Sequence, residues 1–128
     1  MNLNGREQFV SALKEEFPEV REEVEDEIWT GLLHLEMACF ARFTQDAIEQ
    51  GDFDRLKQCF DFAARFYETA DPNLKNAFYD SYLEYLDFNS PNGSKAEGLL
   101  PTVLRQAWLE INEYLKDLWV KTQEREKT

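Results

Sequence analysis

A single histidine occurs in the 128 residues, in the stretch GLLHLEMACF at 31–40, which also carries a glutamate and a cysteine: His34, Glu36 and Cys39. His-x-Glu is half of the zinc deaminase signature, in which the imidazole binds the metal and the carboxylate moves the proton, but that chemistry needs P-C-x-x-C downstream. The chain has no such motif. A zincin would need a second histidine on the same helix face. On a continuous helix, about 200° of rotation separates His34 from Glu36, so the two face opposite sides. Cys39 and Cys59 are the only cysteines. Folding the chain about Gly51 offsets their sulfurs by roughly 6 Å along the helix axis, as neighbours in one seam rather than a natural pair. Free cysteines on apolar faces usually serve as small core hydrophobes. His34, Glu36, Cys39 and Cys59 are therefore expected to pack, with Glu36 paired to an arginine such as Arg42 or Arg65 or facing solvent. No metal and no cofactor is expected.

Other catalytic patterns are missing too. There is no P-loop, dinucleotide fingerprint or G-x-S-x-G, and Glu110 and Glu113 sit at helical spacing where acids solvate a flank. A di-metal bundle would need Glu-x-x-His on core-facing helices. The chain is not expected to be an enzyme.

The elements that would position any site read as helices throughout. Asn4 and Glu7 have capping-box spacing ahead of Phe9, Leu13 and Phe17, and Pro18 closes that helix and opens the next. Gly31 precedes a helix from about Leu32 to Gln50, with Leu32, Leu35, Ala38, Cys39, Arg42, Phe43, Ala47 and Ile48 as its expected inner line. Gly51 then offers a left-handed cap and Asp52 an N-cap, which predicts an antiparallel helical hairpin. Its second arm carries Phe53, Leu56, Cys59, Phe60, Ala63, Phe66 and Tyr67. Asp71-Pro72 starts a helix with Leu74, Ala77, Phe78, Ser81, Tyr82, Tyr85 and Leu86. The turn formers of NSPNGSKAEG, at 89–98, predict a loop. Pro101 opens a last helix with Leu104, Trp108, Ile111, Leu115 and Leu118 on its inner face, and the polar tail begins at about residue 122. These elements make one all-α domain over 1–128, a bundle of five or six helices.

Composition narrows the function. The chain is 43% hydrophobic and 14% aromatic, enough to build a core. Its formal charge is -12, which disfavours nucleic acid and anionic membrane surfaces and favours a basic protein partner. No apolar run reaches membrane-span length, no secretory segment is evident and no disulfide framework is indicated, so a cytoplasmic setting is expected.

Acidity is concentrated in PEVREEVEDEI, where Val20, Val24 and Ile28 form a narrow apolar line among Glu19, Glu22, Glu23, Glu25, Asp26 and Glu27. With Trp29 as an aromatic anchor, this run is a candidate partner-binding face, although charge runs commonly do no more than solvate a helix. Phe60, Phe78, Tyr82 and Trp108 are the alternative candidates, as the lining of a small-molecule pocket, although aromatics at helical spacing usually pack a core.

FPEVREEVEDE, LLHLEMACFARFTQDAIEQGD, NAFYDSYLEYLDF and LPTVLRQAW together resemble an uncharacterised family of small, acidic, all-helical bacterial proteins, several of immunity or accessory type. The resemblance spans most of the chain and rests on structural motifs. It implies a helical fold and an interaction role, and it brings no active site. The expected function is a protein-binding module, most concretely an immunity-type protein that occludes a basic toxin. The alternative is a small-molecule-sensing bundle. Oligomeric state is left open.

Overall fold

The computed structural model describes residues 3–26 and 31–113. Helix α1 (Arg6–Glu16) leads through a 3-10 turn (Pro18–Val20) into the short α2 (Arg21–Val24). Helices α3 (Leu33–Gln50) and α4 (Phe53–Glu68) form the hairpin, α5 (Pro72–Ala77) runs on into a π-helical segment (Phe78–Leu83), and α6 (Gly93–Gly98) precedes α7 over 102–113. Among the described residues there is no strand, and the only β-type pairing is an isolated bridge between Asn4 and Ala70. The fold is all-α.

Local chemistry explains the turns. Gly51 takes φ 70°, a left-handed conformation that costs glycine nothing, and the Asp52 side chain accepts from the Arg55 N–H as the N-cap of α4. Asp71 caps α5 in the same way through Leu74 N–H, with Pro72 in the first turn. The first helix differs from expectation by one residue. Its N-cap is Gly5, whose N–H donates to Gln8 Oε1 at 2.9 Å, because Asn4 is drawn into the bridge instead. Asn4 N–H donates to Thr69 O and Asp71 N–H donates to Asn4 O, both at 2.7 Å. Residues 93–98, expected as part of a loop, form α6 and bury Ala96. Glycine is required at position 93, because a Cβ there would overlap the Phe88 carbonyl. Pro101 stands just outside α7, with its carbonyl accepting from Arg105 N–H.

One aromatic core joins these elements. Phe9 of α1 lies against Phe40, Phe62, Phe66 and Phe78, with centroids 5.3–6.2 Å apart. Phe40 stacks on Tyr82 at 4.9 Å. The central helix α3 is covered on more sides than its expected line allowed. Met37, Phe40, Ala41, Thr44 and Gln45 are buried along with Cys39, Ala47 and Ile48, while Leu32 is exposed. In the π segment the wider turn, closed by i→i+5 bonds, keeps Phe78, Tyr82 and Leu83 on the same inner side. Phe60, Phe78 and Tyr82 are fully buried parts of this core rather than a pocket wall. The Tyr82 hydroxyl lies 3.0 Å from Thr44 Oγ1, and burial holds its pKa well above the ordinary tyrosine value.

Candidate functional site: an acidic aromatic groove

His34, Glu36 and Cys39 diverge in space. His34 is exposed, with Nδ1 2.8 Å from Ser81 Oγ. Glu36 is 1% exposed and is held by Arg6, whose Nε and Nη2 donate to the two carboxylate oxygens at 2.7 and 2.8 Å. Its partner is thus neither Arg42 nor Arg65. Arg6 was missed because the pair spans 30 positions and no helical spacing predicts it. Cys39 and Cys59 are buried free thiols, and desolvation pushes Cys59 up to about 12, far from a nucleophile at neutral pH. Among the described residues, no group of three or more His, Cys, Asp or Glu is arranged to hold a metal.

The acidic run folds back on the chain's own cations. Glu19 pairs with Arg55 and Glu23 with Arg42, so the 3-10 turn and α2 are stapled to α4 and α3. Glu25 lies 3.0 Å from Arg21 and 3.4 Å from Lys14, and the hydrogen bond from Arg21, supported by Lys14, lowers its pKa. At the end of α1, Glu16 meets Arg65 of α4 at 2.9 Å. Val20 and Val24 are buried beneath this ridge, as their spacing predicted. Glu22 and Asp26 are exposed, whereas Glu27, Ile28 and Trp29 lie outside the described residues.

A different acidic region forms a cleft. The segment 84–89, α6 and α7 border a groove of about 670 Å³ lined by Tyr85, Phe88, Trp108 and Leu109, with Glu84, Asp87 and Glu97 among the remaining lining residues and, among the described residues, no Lys or Arg. Among the described residues, Leu3, Leu32, Tyr85 and Leu109 are the exposed large apolar side chains, and two of these four belong to this groove. Tyr85 is 47% and Leu109 52% exposed. Phe88 and Trp108 meet edge to face at 5.3 Å and form the floor. Of the four aromatics expected to line a pocket, Trp108 lines this groove.

The groove is built rather than incidental. Gln45 of α3 is 8% exposed and reads the backbone of Asp87 with both ends of its amide, donating to the carbonyl at 3.1 Å and accepting from the N–H at 2.9 Å. Asp87 Oδ1 then accepts from Asn89 N–H at 2.9 Å, which turns the chain toward α6. Gly93 lets α6 approach the Phe88 backbone, and Asn92 ties the start of α6 to the Glu49 carbonyl at 3.1 Å. Arg105 of α7 donates to the Glu97 carbonyl, joining the remaining wall. Sequence reasoning missed this groove because residues 89–98 read as a plain loop. The overlooked signal was EYLDF beside the turn formers, where Tyr85 and Phe88 accompany Glu84 and Asp87.

The fold and the groove define an all-helical protein with one continuous aromatic core and a preformed surface cleft. The chain belongs to the family described as Domain of unknown function (DUF7674), whose model matches residues 10–116. No curated protein and no solved structure matches it.

Proposed function

We propose that the protein is a binding module that captures a basic segment of a partner protein in the groove between residues 84–89 and α7. The observation that carries this reading is the pairing of an aromatic floor with a wall whose charged residues, among those described, are all acidic. Such a field speeds the encounter with a cationic partner, and an apolar or arginine side chain seated on Phe88 and Trp108 would supply the anchor. The groove's volume lies within the usual range of recognition clefts. The ridge at Glu16–Glu25 is less suited to docking, since a partner there must first displace the chain's own arginines. Occlusion of a basic toxin, in the manner of an immunity protein, is the concrete form this function would take.

The experiment compares three forms of the full chain in pull-downs from the native lysate at low and high salt. They are wild type, a groove variant with Glu84, Asp87 and Glu97 changed to Lys, and a ridge variant with Glu22, Glu23 and Asp26 changed to Lys. A basic protein kept by wild type and by the ridge variant, and lost by the groove variant and in high salt, is the expected result. Retention by the groove variant, or loss by the ridge variant alone, moves the binding face to the ridge. Capture of no specific protein by wild type overturns the reading.

A further inference from the structure

A second cavity, of about 420 Å³, lies at the opposite side of the functional question, beside the lone histidine. It is lined by Arg6, Leu33, His34, Asp71, Asn73 and Asn76. We propose that this cavity binds a small zwitterion bearing an ammonium and a carboxylate, a free α-amino acid being the simplest case. The inference is independent of the groove.

The polar lining residues are anchored by one part of the side chain and uncommitted at another. Arg6 spends Nε and Nη2 on Glu36, and its Nη1 has no hydrogen-bond partner among the described residues. Asp71 gives Oδ1 to Leu74 N–H at 2.8 Å, and its Oδ2 lies against Gly5, at a spot a Cβ would fill, without accepting a hydrogen bond from the described residues. His34 uses Nδ1 toward Ser81 and keeps Nε2. The amides of Asn73 and Asn76 make no hydrogen bond within the described chain. The backbone bridge from Asn4 to Thr69 and Asp71 fixes the start of α1 against the start of α5, which sets Arg6 and Asp71 on one cavity without a direct ion pair between them.

That separation selects the ligand. A cation and an anion on one lining, each held from behind and each with an unused atom, match a molecule carrying the opposite charges in the opposite order. Asp71 would receive the ammonium, and Arg6 with the asparagine amides would receive the carboxylate. Leu33 offers an apolar wall for a side chain. A simple anion would meet Asp71 as a repulsive neighbour. Because Glu36 already matches the charge of Arg6, a carboxylate would be held there by hydrogen bonds from Arg6 Nη1 and the asparagine amides, and a simple cation is the competitor that the carboxylate-blocked derivatives distinguish.

The test is calorimetric titration of the full chain with the free amino acids, each up to about 10 mM, alongside their N-acetyl and α-amide derivatives. Saturable binding of one or more free amino acids is expected, weakened roughly tenfold or more by blocking either charged end. Asp71→Asn should weaken binding by a similar factor while sparing the fold, because asparagine caps a helix as well as aspartate does. Asn76→Ala, at an exposed position, should also weaken it. No saturable heat with any free amino acid overturns the proposal. So does binding that tolerates the loss of either charged end, or binding that the two substitutions leave unchanged.

Discussion

Two acidic regions of this molecule carry similar charge and have opposite organisation. On the ridge formed by the end of α1, the 3-10 turn and α2, Glu16, Glu19, Glu23 and Glu25 meet Arg65, Arg55, Arg42 and the Arg21–Lys14 pair. Around the groove, Glu84, Asp87 and Glu97 accompany exposed aromatic and aliphatic surface, with no basic residue among the described lining residues. Counting charges would rank the ridge first. Asking which charges are already matched reverses the order, because a carboxylate that holds two helices together has its field cancelled close to its source. The ridge fastens the N-terminal elements to the hairpin, and the groove leaves its field open to solvent.

The largest test of that contrast is mechanical. Gly93→Ala drives a methyl group into the Phe88 carbonyl and should cost about 3 kcal/mol, because backbone must move at a site fixed on both sides. Gly98→Ala, where a Cβ meets nothing within 4 Å, should change stability by less than about 1 kcal/mol. Urea unfolding of the two variants checks the pair. Equal effects would mean that α6 does not fix the groove wall.

Next in size is the anchor. Tyr85→Ala with Leu109→Ala should weaken partner binding by about 2 kcal/mol, roughly thirtyfold, while leaving the unfolding midpoint nearly unchanged, since both side chains are about half exposed. The same partner titrated against a Glu22→Lys variant should keep its affinity. Loss of affinity on the ridge variant would erase the distinction between the two regions.

Much of the fold was legible from sequence, and what was legible was local. Gly51-Asp52 and Asp71-Pro72 act through their own backbone geometry and through neighbours three residues away, so their caps could be read directly. The buried valines at positions 20 and 24 follow from spacing alone. The site was less legible because its determinants are distant in sequence. Gln45 grips Asp87 across 42 positions and Arg6 grips Glu36 across 30, contacts that no periodicity encodes. The turn formers at 89–98 did mark a change of direction, but Gly93 serves there as a point of close approach within a short helix. Likewise, the central position of α3 buries several of its faces, so a single amphipathic line understated its core.

Gln45→Ala separates shape from charge. It removes both hydrogen bonds to Asp87 and leaves a partly buried peptide unit without them, a cost of about 1–2 kcal/mol. If the groove is preformed by this grip, affinity for the partner should fall together with stability, although Gln45 is not among the lining residues. A stability loss with unchanged affinity would show that the 84–89 wall holds its shape without α3.

The smallest expected effect falls on the ridge, and its smallness is informative. A double-mutant cycle on Glu19→Gln and Arg55→Met should return a coupling below about 1 kcal/mol, because both side chains remain partly exposed and water competes for them. Glu25 adds a pH dependence of known sign. Its folded-state pKa is lowered by Arg21 and Lys14, so the unfolded chain takes up its proton first as the solution is acidified. The stabilisation is present above the ordinary carboxylate range and disappears as pH falls through the lowered value. Glu25→Gln should therefore flatten the acid limb of the stability profile slightly, and added salt should shrink the difference between variant and wild type. A coupling well above that bound, insensitive to salt, would mean that the ridge charges are screened from water and act as core rather than surface. The acidic groove would then be the only one of the two regions whose charge is exposed to a partner.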